Sequence, residues 1–221
     1  SYEQSLVKHL DFSVHLDFKE LHEEMFKTVS TLTIFEGHET FRGKTRIGHL
    51  AIDHKTFDKI LKLGYNVCTV YEGQTLLHVA VKGGAYLMIP LLLLWGASPY
   101  ARDAEGYSAV ERALLSSHYF TAECLKRMKD VKLMDHIDFI LEHLPQSAHF
   151  ASVLYKQRPA EFTTSQRIKY FLYLQKHRPV ALELHLESMF STEEWKEEAA
   201  LIKAALVDSK RRHEELQEEQ E

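Results

Sequence analysis

Fourteen histidines stand among 221 residues, so metal binding and acid–base catalysis are the first chemistries to weigh. A zinc-protease helix needs His-Glu-x-x-His, which sets two imidazoles on one helical face with a carboxylate beside them. No such string occurs, and Cys68 and Cys124 lack the paired spacing of a zinc site. The densest cluster is His136, Asp138, Glu142 and His143. The two histidines, seven apart, share a helical face, while both acids fall off it. These four read as exposed helix polarity. His9-Leu10-Asp11-Phe12 recurs as His15-Leu16-Asp17-Phe18, but a six-residue spacing fits no helical period. Nucleophilic catalysis has no G-x-S-x-G string to rest on. Cys68 has no basic sequence neighbour to stabilise its thiolate, and Cys124 reads as a small core residue. Gly83-Gly84 is too short for a phosphate-binding loop. The expectation is a non-enzyme with no metal and no cofactor.

Composition agrees with an interaction role. The chain is 45% hydrophobic and 27% charged, enough to bury a sizeable core and too apolar for disorder. Two cysteines make no disulfide framework, which favours the cytoplasm. The longest apolar run, Ala85 to Trp95, holds Pro90 and is short of the roughly 18 residues of a membrane span. No apolar leader segment opens the sequence, so no signal peptide is expected. The net charge of −5 disfavours nucleic acid. That charge collects after Ser191, where ten acids face five bases, and the final Glu214–Glu221 block reads as a solvated helix end. Two basic clusters, Arg42/Lys44/Arg46/Lys55 and Lys126/Arg127/Lys129/Lys132, read as solvated faces.

The elements that must position these residues are mostly helices. Leu16, Phe18, Leu21, Met25, Phe26 and Val29 recur at helical spacing near the start. A helix from Val131 carries Leu133, Ile137, Ile140, Leu141 and Leu144, and stops at Pro145. Thr163-Thr164-Ser165-Gln166 is a capping-box pattern whose helix closes at Arg178-Pro179. Ser191-Thr192-Glu193-Glu194 is a second such pattern, expected to open a last helix with Trp195, Ala199, Ile202, Leu206 and Val207 on one side.

Between these ends lies a repeat. Gly73-Gln74-Thr75 recurs 33 residues later as Gly106-Tyr107-Ser108, and Gly43-Lys44-Thr45 precedes it by 30. The middle unit reads Gly73-Gln74-Thr75-Leu76-Leu77-His78-Val79-Ala80, then Gly84, Leu91-Leu92-Leu93, Gly96-Ala97 and Asp103. This pattern resembles the ankyrin repeat, G-x-T-P-L-H-x-A-A-x-x-G-H followed by a helix ending L-L-L and G-A-D, with Leu76 in the proline place. The period is that of the family, a turn and two helices per unit. The outer units depart further: Ala109 and Glu111 replace Pro and His in the third, and the first loses both.

The resemblance implies an all-α ankyrin-repeat solenoid: an N-terminal helical cap over 1–40, about three repeats over 41–130 and a C-terminal helical region over 131–221. It implies positive φ at Gly73 and Gly106, helix caps at Thr75 and Ser108, and a structural His78 tied to neighbouring turns. It also implies a partner-binding groove on the turn tips and first helices. The matching residues are Phe41, Arg42 and Lys44 in the first unit, Tyr71, Glu72, Gln74 and Lys82 in the second, and Arg102, Glu105 and Tyr107 in the third. In the first unit Asp53 would lie at the end of a first helix.

The expected function is therefore a non-catalytic adaptor or scaffold, a monomer that binds another protein. Two settings stay open, a host adaptor and a secreted effector of an intracellular bacterium acting in the host cytoplasm. The Glu-rich tail resembles the C-terminal signals of some type IV secretion substrates. One alternative is an enzyme housed in the C-terminal helices with the repeats recruiting substrate; His149, Tyr155, Arg158 and His177 are the only polar residues to consider there, at no telling spacing, and none is nominated. Another is self-assembly along the Trp195, Ala199, Ile202, Leu206 seam, which Ser209 and His213 interrupt.

Overall fold

The computed structural model describes residues 44–47, 50–53, 61–62, 65–86, 88–116 and 119–220, together with Glu23, Met25 and Phe26. Helix dominates them. The chain divides into two compact units, 1–132 and 133–221, and each is built around its own core.

In the first unit, strands β1 (Lys44–Ile47) and β2 (Leu50–Asp53) form an antiparallel hairpin, with Lys44 opposite Asp53 and Ile47 opposite Leu50. This corrects the reading of a helix leading to Asp53. Thr45, Ile47 and Ile52 are β-branched, and such residues favour the pleated conformation over the helix.

Four helices come next: α1 (Leu76–Gly83), α2 (Met88–Leu94), α3 (Ala109–Leu114) and α4 (Tyr119–Arg127). Helix α1 packs against the other three, and α4 also packs on α2 and α3. The shared core holds Leu76, Leu77, Ala80, Val81, Ile89, Leu92, Val110, Ala113, Leu114 and Cys124, all fully buried. Each large apolar side chain so buried contributes about 1.5–3 kcal/mol. Of the Leu91–Leu93 run only Leu92 is fully buried.

Local signals set where these helices begin and end. Thr75 caps α1 by accepting from the His78 amide, and Ser108 caps α3 by accepting from the Glu111 amide; each is one half of a capping box. Helix α1 stops at Gly84, at φ +74°, where the Gly84 amide donates to Val81 and the Ala85 amide to Ala80. Gly96, at φ +96°, repeats the device after α2, with bonds to Leu93 and, from Ala97, to Leu92. Both are Schellman motifs, which satisfy the last carbonyls of a helix.

The second unit has α5 (Ile137–Glu142), α6 (Ala148–Gln157), α7 (Thr164–His177), α8 (Pro179–Phe190) and α9 (Lys196–Glu218). Short 3-10 turns precede α5, α7 and α9. Helix α7 is central and packs on α5, α8 and α9. Thr163 and Gln166 form the expected capping box, and Pro179 opens α8 at a position where no helical donor is lost. The Ser191-Thr192 pattern behaves differently. Both hydroxyls donate to the Ser188 carbonyl, at 2.8 and 3.1 Å, so neither caps the last helix; residues 193–195 form a 3-10 turn and α9 starts only at Lys196. Ala199, Ile202 and Leu206 are buried along α9, whereas Val207 is 62% exposed.

Candidate functional site

A tight turn begins the site. The Tyr71 amide donates to the Gln74 carbonyl at 2.9 Å and the Gln74 amide returns the bond at 3.1 Å. Between them Glu72 and Gly73 both take positive φ, +50° and +77°, the hand of a type I′ hairpin turn. This geometry projects Tyr71, Glu72 and Gln74 from one tip. Val79 in the first turn of α1 and Lys82 and Gly83 at its end follow.

These residues line one open cavity of about 630 Å3, together with Glu23 and Phe26. Phe26 packs its ring 5.3 Å from that of Tyr71. The Tyr71 hydroxyl donates to Glu23 Oε1 at 3.1 Å. Desolvation, reinforced by the Glu23 and Glu72 carboxylates, pushes the Tyr71 hydroxyl above the ordinary phenol range, so it stays a donor at neutral pH. Lys82 is exposed and carries no ion pair among the described residues. The cavity thus has an apolar patch at Phe26 and Val79, rimmed by an amide, an ammonium and two carboxylates. Those groups can recognise a polypeptide by hydrogen bonds and one or two charges. Among the described residues no cluster of His, Cys, Asp or Glu could hold a metal ion.

Four of the ten residues that the sequence nominates, Tyr71, Glu72, Gln74 and Lys82, come together here. Arg102, Glu105 and Tyr107 belong to the next tip, over residues 102–108. Arg102 donates to the Gly106 carbonyl at 2.6 Å and pairs with Glu111 at 2.7 Å. Glu105 pairs with Arg112 at 3.1 Å, and the Tyr107 ring lies 4.4 Å beneath the Arg112 guanidinium. Lys44 begins strand β1, and its side chain, like the residues Phe41 and Arg42, lies outside the described set.

Arg112 is the organiser of that second tip, and the sequence reading passes over it. It also holds Asp103, with Nε and Nη2 each 2.7 Å from Oδ2. Asp103 Oδ1 accepts from the Glu105 and Tyr107 amides at 3.1 and 3.0 Å. Burial alone would raise the Asp103 pKa, but Arg112 and these two amides outweigh it and hold the carboxyl below its usual range. The nine-residue gap between Asp103 and Arg112 fits no local motif, so only the fold reveals the pair. Glu23 and Phe26 are likewise missing from the sequence-derived site; the helical spacing around Phe26 marks it as apolar but not as a groove wall.

The tips stack. The Ala104 amide donates to the Gly73 carbonyl at 2.8 Å, and His78 joins the two tips from below, its Nε2 2.9 Å from the Tyr107 carbonyl.

The four polar residues considered for C-terminal catalysis do not converge. His149 and Tyr155 line different cavities, Arg158 pairs with Glu161 at 3.2 Å, and His177 packs on Tyr173 with ring centroids 4.7 Å apart. Cys68 is exposed and donates to the Gly96 carbonyl at 3.4 Å, while Cys124 is buried. Among the described residues no helix is long and apolar enough to cross a membrane.

No family model matches the chain, and no solved structure matches it. A stretch of 70 residues, 32% of the chain, is 37% identical to part of the human ARF GTPase-activating protein GIT2; that stretch spans 9% of the human protein's length.

Proposed function

We propose that this protein is a non-catalytic interaction module of the ankyrin-repeat type, and that it holds a loop or helix of a partner protein in the Tyr71–Lys82 groove. One observation carries this reading: residues nominated separately from a turn tip and a helix end line a single open cavity around Phe26. Aromatic anchors beside flexible polar groups are the composition of interface hot spots, worth about 2 kcal/mol or more each. The capping boxes at Thr75 and Ser108, the Schellman glycines and the bridging His78 support the repeat assignment. The similarity to a segment of a much larger human protein is in keeping with a recurring module. The protein acts as a monomeric adaptor in a cytoplasm, that of a host cell if it is a bacterial effector.

The test is capture of partners from lysate on the wild-type chain and on a Tyr71→Ala, Gln74→Ala, Lys82→Ala variant with an unchanged melting curve. Partners retained by the wild type and lost by the variant support the groove. Identical partners on both baits overturn it.

A further inference from the structure

The second unit holds a cavity of about 410 Å3, within the size range of small-molecule sites. Its walls come from α6, the 3-10 turn at Pro159–Glu161, α7, α8 and the turn before α9. No wall residue is an acid, while Lys156, Arg167 and His185 are basic. Of these, Arg167 is paired with Glu198, and burial, with Lys156 nearby, pushes the His185 imidazole below its ordinary range, so Lys156 is the wall's uncompensated positive charge.

Arg167 is 1% exposed. Its guanidinium pairs with Glu198, donates from Nη2 to the Pro159 and Phe162 carbonyls at 2.7 and 3.1 Å, and lies 4.6 Å over the Trp195 ring. Its Nε–H is buried with no partner, so the group retains unspent hydrogen-bonding capacity. The Tyr155 hydroxyl has only the Met189 sulfur, at 3.9 Å, to donate to. Burial raises its pKa against the pull of Arg167, which keeps the proton on. His185 stacks at 8° on Phe171 and meets Tyr155 edge-on at 4.8 Å. Those ring contacts fix its plane, yet neither nitrogen has a hydrogen-bond partner among the described residues. Lys156 is exposed and has no ion pair among them. A structural arginine alone explains its bonds to Glu198 and the carbonyls. It does not explain three further donors, Lys156, His185 and Tyr155, around the same space with no carboxylate among the wall side chains.

We propose that this cavity binds a small organic anion. Lys156, His185 and the Tyr155 hydroxyl take a phosphate or carboxylate head, beside the Arg167 guanidinium, whose charge Glu198 balances. Trp195 and Met189 take a flat apolar body.

Trp95→Phe leaves Trp195 as the single indole reporter, since the chain has two tryptophans. This variant is titrated with phenyl phosphate, benzoate and inorganic phosphate. At least one organic anion gives a saturable change in Trp195 emission, and the stronger of the two identifies the head. Inorganic phosphate binds about tenfold more weakly or worse, having no body to bury. Lys156→Glu, at an exposed position, keeps the melting curve and weakens binding by about tenfold or more. No saturable response to either organic anion overturns the proposal. So does unchanged affinity in Lys156→Glu, or inorganic phosphate binding as tightly as phenyl phosphate. None of these outcomes touches the groove of the first unit.

Discussion

His78 Nε2 lies 2.9 Å from the backbone carbonyl of Tyr107, 29 residues along the chain. A carbonyl only accepts, so Nε2 carries the proton and Nδ1 is the acceptor. The Thr75 hydroxyl, 2.8 Å away, donates to Nδ1 and accepts from the His78 amide in return. One fully buried imidazole thereby couples a helix cap to the next turn tip.

Replacing it removes one of two donors from the Tyr107 carbonyl, which keeps the Asp103 amide at 2.8 Å, and removes the acceptor of the Thr75 hydroxyl proton. His78→Ala is expected to destabilise the first unit by about 3 kcal/mol, from two lost hydrogen bonds and a cavity. Denaturant unfolding followed by a probe in that unit reads this directly. A loss under about 1 kcal/mol would mean that the bridge is replaceable by water.

The glycines of the two tips separate backbone strain from crowding. A Cβ on Gly73 would sit 2.6 Å from the Ala104 Cβ, whereas one on Gly106 meets nothing within 4 Å; both positions have positive φ. Gly106→Ala should cost about 1 kcal/mol, the conformational penalty alone. Gly73→Ala should cost about 2 kcal/mol or more, since the stacked tips must also part. Adding Ala104→Gly should recover the steric share and not the rest. Equal losses in the two single variants would contradict the stacking.

Asp103 makes the first unit acid-sensitive. Its folded pKa is depressed below the ordinary 3.8. Its contribution is therefore complete above the unfolded value and is lost as pH falls through the folded one. Unfolding titrations from pH 6 downward should show stability falling below about pH 4. Asp103→Asn should be less stable at pH 6 and should show a shallower acid slope. A variant with the wild-type slope would remove Asp103 as the cause.

Glu198 compensates the buried Arg167 charge in the second unit. Glu198→Ala leaves that charge with carbonyls alone and should cost about 3 kcal/mol, the penalty of breaking a buried pair from one side. Thermal melting of the second unit measures it. Replacing both partners, with Arg167→Met added, should recover part of the loss, because no unpaired charge then remains.

The interactions legible along the chain are those that close within a few residues. Thr75, Ser108 and Thr163 cap helices because each hydroxyl reaches an amide three positions on. Gly73, Gly84, Gly96 and Gly106 take the left-handed conformation that only glycine adopts cheaply. The same local logic misleads at Thr192, where a carbonyl of the preceding helix takes the hydroxyl first. At residues 44–53 it is the family resemblance that misleads, and the β-branched side chains point instead to the hairpin that forms. Tertiary packing alone decided the rest. Glu23 reaches Tyr71 across 48 residues, Arg112 reaches Asp103 across nine, and Arg167 reaches Glu198 across 31. Charge pairing and cavity shape depend on which surfaces the helices bury against each other. No spacing along a single helix encodes that choice.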